Sequence, residues 1–289
     1  MTIKGMGLGM CLFGALGVPG LAQAGDGKLL ATGGLTEAEG SAGGGIVPWA
    51  VLSGYGTQDE DGGTFFITQA NTGDYALTAT GAAVTIRDRV ELSFADQTLD
   101  AGTLGTALND PGLSLRQQVF GVKVRLLGDA VYGSAPQVSF GVQYKHDIDF
   151  SIPQAVGAKH DSGTDLYVAA TKVIVDGFFG RDLLLNGTLR ATKANQMGLL
   201  GFGGDKNDSY RIEPEVSVGV LLDEKTAVGL EYRKKPDNLS FAREDDWADA
   251  FIAYFPSKSV ALIAAYASLG SVATIQHQRG LYLSVQATF

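Results

Sequence analysis

Much of the chain alternates apolar and polar residues with a period of two. At the C-terminus Leu281, Leu283, Val285, Ala287 and Phe289 are apolar, and Tyr282, Ser284, Gln286 and Thr288 place polar atoms between them. Successive side chains of a strand point to opposite faces, so this stretch is a strand with one apolar face. The same pattern recurs in Phe120, Val122, Val124 and Leu126 against Gly121, Lys123 and Arg125, and in Val138, Phe140, Val142 and Tyr144 against Gln137, Ser139, Gln143 and Lys145. Ile212, Val216, Val218 and Val220, then Val228, Leu230 and Tyr232, oppose Arg211, Glu213, Glu215, Glu231 and Arg233 across a short turn.

Extended along the chain, the pattern predicts strands near 28–34, 45–56, 63–71, 74–86, 89–98, 116–127, 136–147, 164–175, 182–193, 209–221, 226–234, 246–255, 259–268 and 280–289. The expected fold is all-β, a transmembrane antiparallel up-and-down β-barrel of 14 strands. The first two segments are Gly-rich and weakly patterned; if they fold into the lumen, 12 strands remain. The phase of "YALTATGAAVTIRD" slips near Gly81, which predicts a bulge there.

A soluble sandwich also alternates, so the loops and rings decide between the two. Short turns fall at 87–88, 128–135, 176–181, 223–225 and 256–258, and mostly long connections at 99–115, 148–163, 194–208, 235–245 and 269–279. Barrels of bacterial outer membranes have this asymmetry. The apolar-phase rings Tyr75, Phe94, Phe120, Tyr144, Tyr210, Tyr232 and Tyr266 fall toward the long-loop end of their strands, and Tyr254 and Phe289 toward the other. Two aromatic girdles suit the two interfaces of a bilayer. The last strand is then expected to close the cylinder against the first, with Phe289 as a closure and assembly signal.

Near its start the chain carries Lys4, an apolar run from Gly5 to Leu21, and Ala22-Gln23-Ala24, a pattern expected of a signal peptide over 1–24, cleaved before Gly25 to leave a barrel domain over 25–289. Cys11, the single cysteine, lies in that leader, and bulky Met10 before it disfavours a lipoprotein signal. Of 289 residues, 45% are hydrophobic and 18% charged, and the net charge of −9 argues against a nucleic-acid partner. After Ala24 no apolar run approaches the roughly 20 residues of a spanning helix. Residues 25–44 are too few for a sizeable lumenal plug.

The polar phase supplies the candidate site. Lys123, Arg125, Lys145, Arg190, Arg211, Glu213, Glu215, Glu231 and Arg233 are expected to line the lumen. Lys123, Arg125 and Lys145 lie on two strands, and Glu213, Glu215 and Glu231 on two others about a quarter of the circumference away. The two signs would then sit on different walls and orient polar solutes across a passage. The alternative is mutual neutralisation in a filled lumen, since register about the 223–225 turn sets Glu215 opposite Arg233.

Other stretches offer less. Register about the 128–135 turn sets His146 opposite Arg116 with Ser114 diagonal, a pair that could serve acyl transfer at the rim but lacks an acidic partner. His160 and His277 fall in loops, and "KHDSG" has no second ligand at metal spacing. "GLLGFGGDK" lacks the spacing of a nucleotide loop and reads as a flexible or inward-folding connection. The run from Arg243 to Asp246 beside Trp247 has three acids but no further ligand for calcium. No cofactor or metal is implied.

The stretches "GKLLATGGLTEAEGSAGGGIVPWA", "SGTDLYVAATK", "LLLNGTLRATKANQMGLLGFGGDKND" and "KPDNLSFAREDDWADAFIAYFPSK" resemble the Gram-negative outer-membrane proteins catalogued as domain-of-unknown-function family 3034. The resemblance covers almost all of the chain after Ala24 and implies an outer-membrane barrel, with no chemistry attached. The leading functional expectation is a porin-like passive channel for small polar or ionic solutes. A structural or assembly barrel with a filled lumen comes second, and a rim acyl hydrolase or transferase third. Expected partners are outer-membrane lipid and lipopolysaccharide, the barrel-assembly machinery and small solutes.

Overall fold

The computed structural model describes residues 28–289; the cleavage site before Gly25 and Cys11 lie outside the described residues. Two short strands, β1 (Leu35–Thr36) and β2 (Ala42–Gly43), pair only with each other. The wall follows as β3 (Gly62–Thr72), β4 (Ala76–Ile86), β5 (Val90–Asp100), β6 (Ser114–Leu127), β7 (Gln137–Asp147), β8 (Ser162–Phe178), β9 (Arg181–Thr192), β10 (Arg211–Leu221), β11 (Thr226–Arg233), β12 (Trp247–Ser257), β13 (Val260–Val272) and β14 (Ile275–Thr288). Each strand pairs antiparallel with its neighbours in sequence, and β14 closes the cylinder against β3 from Gly280↔Thr72 to Thr288↔Thr64. The barrel therefore has 12 strands, as in the alternative count, and not 14.

The alternation reads directly onto the faces. On β14 Leu281 and Val285 are 57% and 52% exposed on the outside, whereas Tyr282 and Gln286 are 4% and 2% exposed on the inside. Connections at one end are short: 87–89, 128–136, 179–180, 222–225 and 258–259. At the other end 101–113, 148–161, 193–210 and 234–246 are long, and carry the helices α1 (Gly102–Ala107) and α2 (Ser151–Ala155) and a single 3-10 turn, Gln196–Gly198.

Five expectations need correction. Segments 28–34 and 45–56 are not wall strands: every residue from Leu35 to Gly56 is buried inside the cylinder. The reason lies on the inner face of one half of the wall, where Phe66, Ala79, Ala95, Phe251, Ile263 and Ala265 present apolar surface that packs on Leu35, Ala38, Ile46, Val47, Trp49 and Val51. Water in the lumen would leave both surfaces wet. This plug continues well past residue 44, so residues 25–44 underestimated it. The expected bulge at Gly81 is absent, because β4 keeps continuous register with β3 and β5; the apparent slip arises because inward Leu77 and Ala79 are apolar while Thr78 and Thr80, on the outward phase, carry hydroxyls. The long loop 269–279 contracts to Ala273 and Thr274, because β13 and β14 pair as far as Val272↔Ile275. Tyr75, assigned to the outer girdle, is instead buried and donates its hydroxyl to the Val272 carbonyl at 3.0 Å.

Candidate functional site: the plugged lumen

An irregular segment inside a barrel must find partners for its backbone polar groups, because no sheet ladder supplies them. The inward side chains of the wall do so. Gln97 donates to Ala38 O at 2.7 Å, Gln137 and Ser139 donate to Ala50 O at 2.7 and 2.6 Å, and Thr188 donates to Pro48 O at 2.7 Å. Ala50 N donates to Thr171 Oγ1 at 2.7 Å, and Gln286 both accepts from Thr36 N and donates to Thr36 O. Lys123 reaches Ala42 O at 2.7 Å and Val51 O at 3.0 Å, and its ion-pair partner Glu91, at 3.2 Å, accepts from Ala42 N and Ser53 N. Polar residues that would line an open passage thus act as the plug's hydrogen-bonding frame.

The centre is ionic. Glu39, fully buried, pairs with Lys145, with Arg233 at 2.7 Å and with Arg190 at 3.4 Å. Lys145 also meets Asp165 at 2.7 Å, while Arg190 and Arg233 share Glu215 at 2.7 and 3.3 Å. Glu37 stands 4.0 Å from Arg190 and accepts from Gln143 at 2.9 Å. Burial, with the Glu39 carboxylate beside it, pushes the Glu37 carboxyl up to about 8, which favours its neutral form. Three cations, Lys145, Arg190 and Arg233, then face three anions, Glu39, Asp165 and Glu215. Buried charge is tolerable when it is balanced in this way.

The expectation of two oppositely charged walls is therefore corrected: the plug carries anions into the gap and joins the walls. Glu215↔Arg233 are register partners. Glu231 accepts from Gly45 N at 2.6 Å, Ile46 N at 2.9 Å and Ser217 Oγ at 2.7 Å. A Cβ at position 44 would lie 1.9 Å from Glu231 Oε1, so any larger residue there pushes the carboxylate off these partners. Arg125 lies at the short-turn end, paired with Asp88 and with Asp129 at 3.0 Å; Asp88 also holds Lys28 at 2.7 Å. Glu213 pairs with Lys234 at 3.2 Å, and Arg211 is exposed at the long-loop end. Phe289 N and O both bond the backbone of Gly63, and its O also accepts from Tyr55 N, which ties the last residue to the plug.

Sequence reasoning missed Glu37, Glu39, Glu91 and Asp165. One signal for the plug was present: Phe66, Ile263, Ala265 and Phe251 make the inward phase apolar too, and a strand apolar on both faces is covered on both. From the other side, the connection 193–210 folds inward, with residues 194–204 buried.

The rim pair is not assembled. His146 lies opposite Gln118, two residues along β6 from Arg116, because the pairs are centred on a turn spanning 128–136. Ser114 lies opposite Asp100, and Arg116 holds Asp149 at 2.9 Å. His160 contacts Asp208 at 3.1 Å, and His277 lies within β14 and not in a loop. Glu244 accepts from Gln196, Asp245 from Ser271 and Asp246 from Tyr232, so the acidic run is engaged within the protein.

Residues 32–286 match the model of a family described as "Protein of unknown function (DUF3034)". No curated protein matches the chain. Among solved structures it is similar to the KdgM porin, at 9% identity and a TM-score of 0.48 over 78% of this chain and 99% of that one. It is also similar to an outer membrane channel from Pseudomonas putida F1, at 11% identity and 0.48 over 84% and 97%. Outer membrane phospholipase A from Escherichia coli matches at 10% and 0.42 over 78% and 92%. No ligand, activity or partner transfers at these identities.

Proposed function

The chain belongs to the DUF3034 family of proteins of unknown function, and from its geometry we propose that it is an outer-membrane β-barrel closed at rest by its own N-terminal segment. The outward apolar faces and long loops at one end support placement in the outer membrane of a Gram-negative cell, in contact with lipid and lipopolysaccharide after delivery by the assembly machinery. The observation that carries the closed state is the burial of every residue from Leu35 to Gly56 within the cylinder. Passage of ions or small polar solutes then requires the segment to leave, which would bare Lys123, Lys145, Arg190, Glu215 and Arg233 along the vacated wall.

Conductance in planar lipid bilayers tests this. The unaltered chain is expected to be silent, and Gly44→Leu, whose side chain would push the Glu231 carboxylate away from Gly45 N and Ile46 N, is expected to conduct in a folded barrel. Steady open current from the unaltered chain would overturn the proposal.

A further inference from the structure

At the long-connection end a pocket of about 340 Å³ opens inside the barrel mouth, walled by α1, α2 and the inward connection. Leu104, Leu113, Ile152, Leu200 and Phe241 are among its lining residues. Through Tyr75, Leu99, Gln196 and Val272 it adjoins a second cavity of about 60 Å³, which reaches Ala38 and Ile46 of the plug. The polar groups in this partition face away from a ligand. Tyr75 donates to the Val272 carbonyl; Gln196 donates to Glu244 at 2.9 Å and Ser271 O at 3.1 Å, and accepts from Lys235 at 3.2 Å. The site thus offers apolar contact and no free hydrogen-bonding partner from these two residues, while Leu108 (57% exposed) and Phe241 (45%) put apolar surface at its entrance.

We propose that this pocket binds small uncharged apolar molecules, aromatic or short-chain, and presents them to the outer side of the plug. Its volume is roughly twice that of a leucine-lined cavity able to hold benzene, which sets the ligand near the size of naphthalene. The occupant is a solute and not a bilayer acyl chain, because Leu99 and Leu115 enter the pocket from the inward phase of β5 and β6, with the wall between them and lipid. The site stands whether or not the plug ever moves.

The test is methyl NMR of the full barrel in lipid nanodiscs, titrated with naphthalene. Leu104, Ile152 and Leu200 methyls should shift to saturation, whereas lipid-facing Leu281 and Leu283 should drift linearly as naphthalene enters the bilayer. Ile152→Asp should weaken the saturable response at least tenfold, with Leu104→Asp as a second variant if the first fails to fold by heat-modified electrophoretic mobility. Linear drift at the pocket methyls, a saturable response unchanged in the variants, or cross-peaks from those methyls to lipid chains before any naphthalene is added would each overturn the proposal.

Discussion

Glu39→Gln is the sharpest perturbation of the plug. The substitution keeps shape and removes one charge, which leaves Lys145, Arg190 and Arg233 facing only Asp165 and Glu215. Removing one partner of a buried ion pair costs about 3–5 kcal/mol. Glu37, 4.0 Å from Arg190, can release its proton and restore the balance, so the lower end applies, about 3 kcal/mol. At 1.4 kcal/mol per factor of ten, the population of undocked plug should rise roughly a hundredfold. Ser53→Cys provides the readout: Ser53 is buried and its hydroxyl has no hydrogen-bond partner among the described residues, so sulfur replaces oxygen at little cost. Residues 28–289 contain no competing cysteine. In this background, labelling by a water-soluble thiol reagent should accelerate about a hundredfold with Glu39→Gln, and further when Glu37→Gln removes the reserve carboxyl, because the two residues share partners and are not additive. An acceleration below threefold for Glu39→Gln in a folded barrel would refute the ionic latch.

Three further outcomes are expected. Glu37 has a folded-state pKa raised from 4.5 to about 8, so its contribution is fully present below pH 4.5 and is lost as pH rises through 8; Ser53→Cys labelling, normalised to the same measurement in Glu37→Gln, should therefore increase between pH 6 and pH 9, and a flat ratio would contradict the assignment. Deleting Phe289 should lower the yield of heat-modifiable folded barrel far more than deleting Asp110 from an exposed connection, since its backbone joins β3 and the plug; equal yields would remove its closure role. Asp249 is buried, and its Oδ1 has no hydrogen-bond partner among the described residues, so its charged form is unfavourable there; at pH 9, where a carboxyl ionises, Asp249→Asn should raise the unfolding free energy in urea by about 1 kcal/mol over the unaltered chain, and a loss of that size would show that the charge is compensated.

The wall of this barrel was legible in the chain because alternation is a local property. A pleated backbone sends neighbouring side chains to opposite faces wherever the strand finally lies, so the wall strands, apart from β4 and Tyr75 before it, declare outer face and lumen face without reference to any partner. Turn lengths likewise declared which end carries the long connections. The contents of the lumen depended on remote groups instead. Glu39 is neutralised by Lys145, Arg190 and Arg233, which are brought to one point only by closure of the sheet, and register about the 223–225 turn could place Arg233 beside Glu215 but had no means of placing Glu39 between them. The Gly-rich segment from Gly33 to Gly45 lacks the period that would reveal its place, because its shape is imposed by the hydrogen-bonding groups and apolar surface of the surrounding wall. The same division holds for the outer pocket. The residues of α1, α2 and the 193–210 connection are unremarkable loop sequence one by one, and become a shared apolar cavity only where the closed barrel folds them over one another, since burial belongs to the surfaces that meet and not to the segments that carry them.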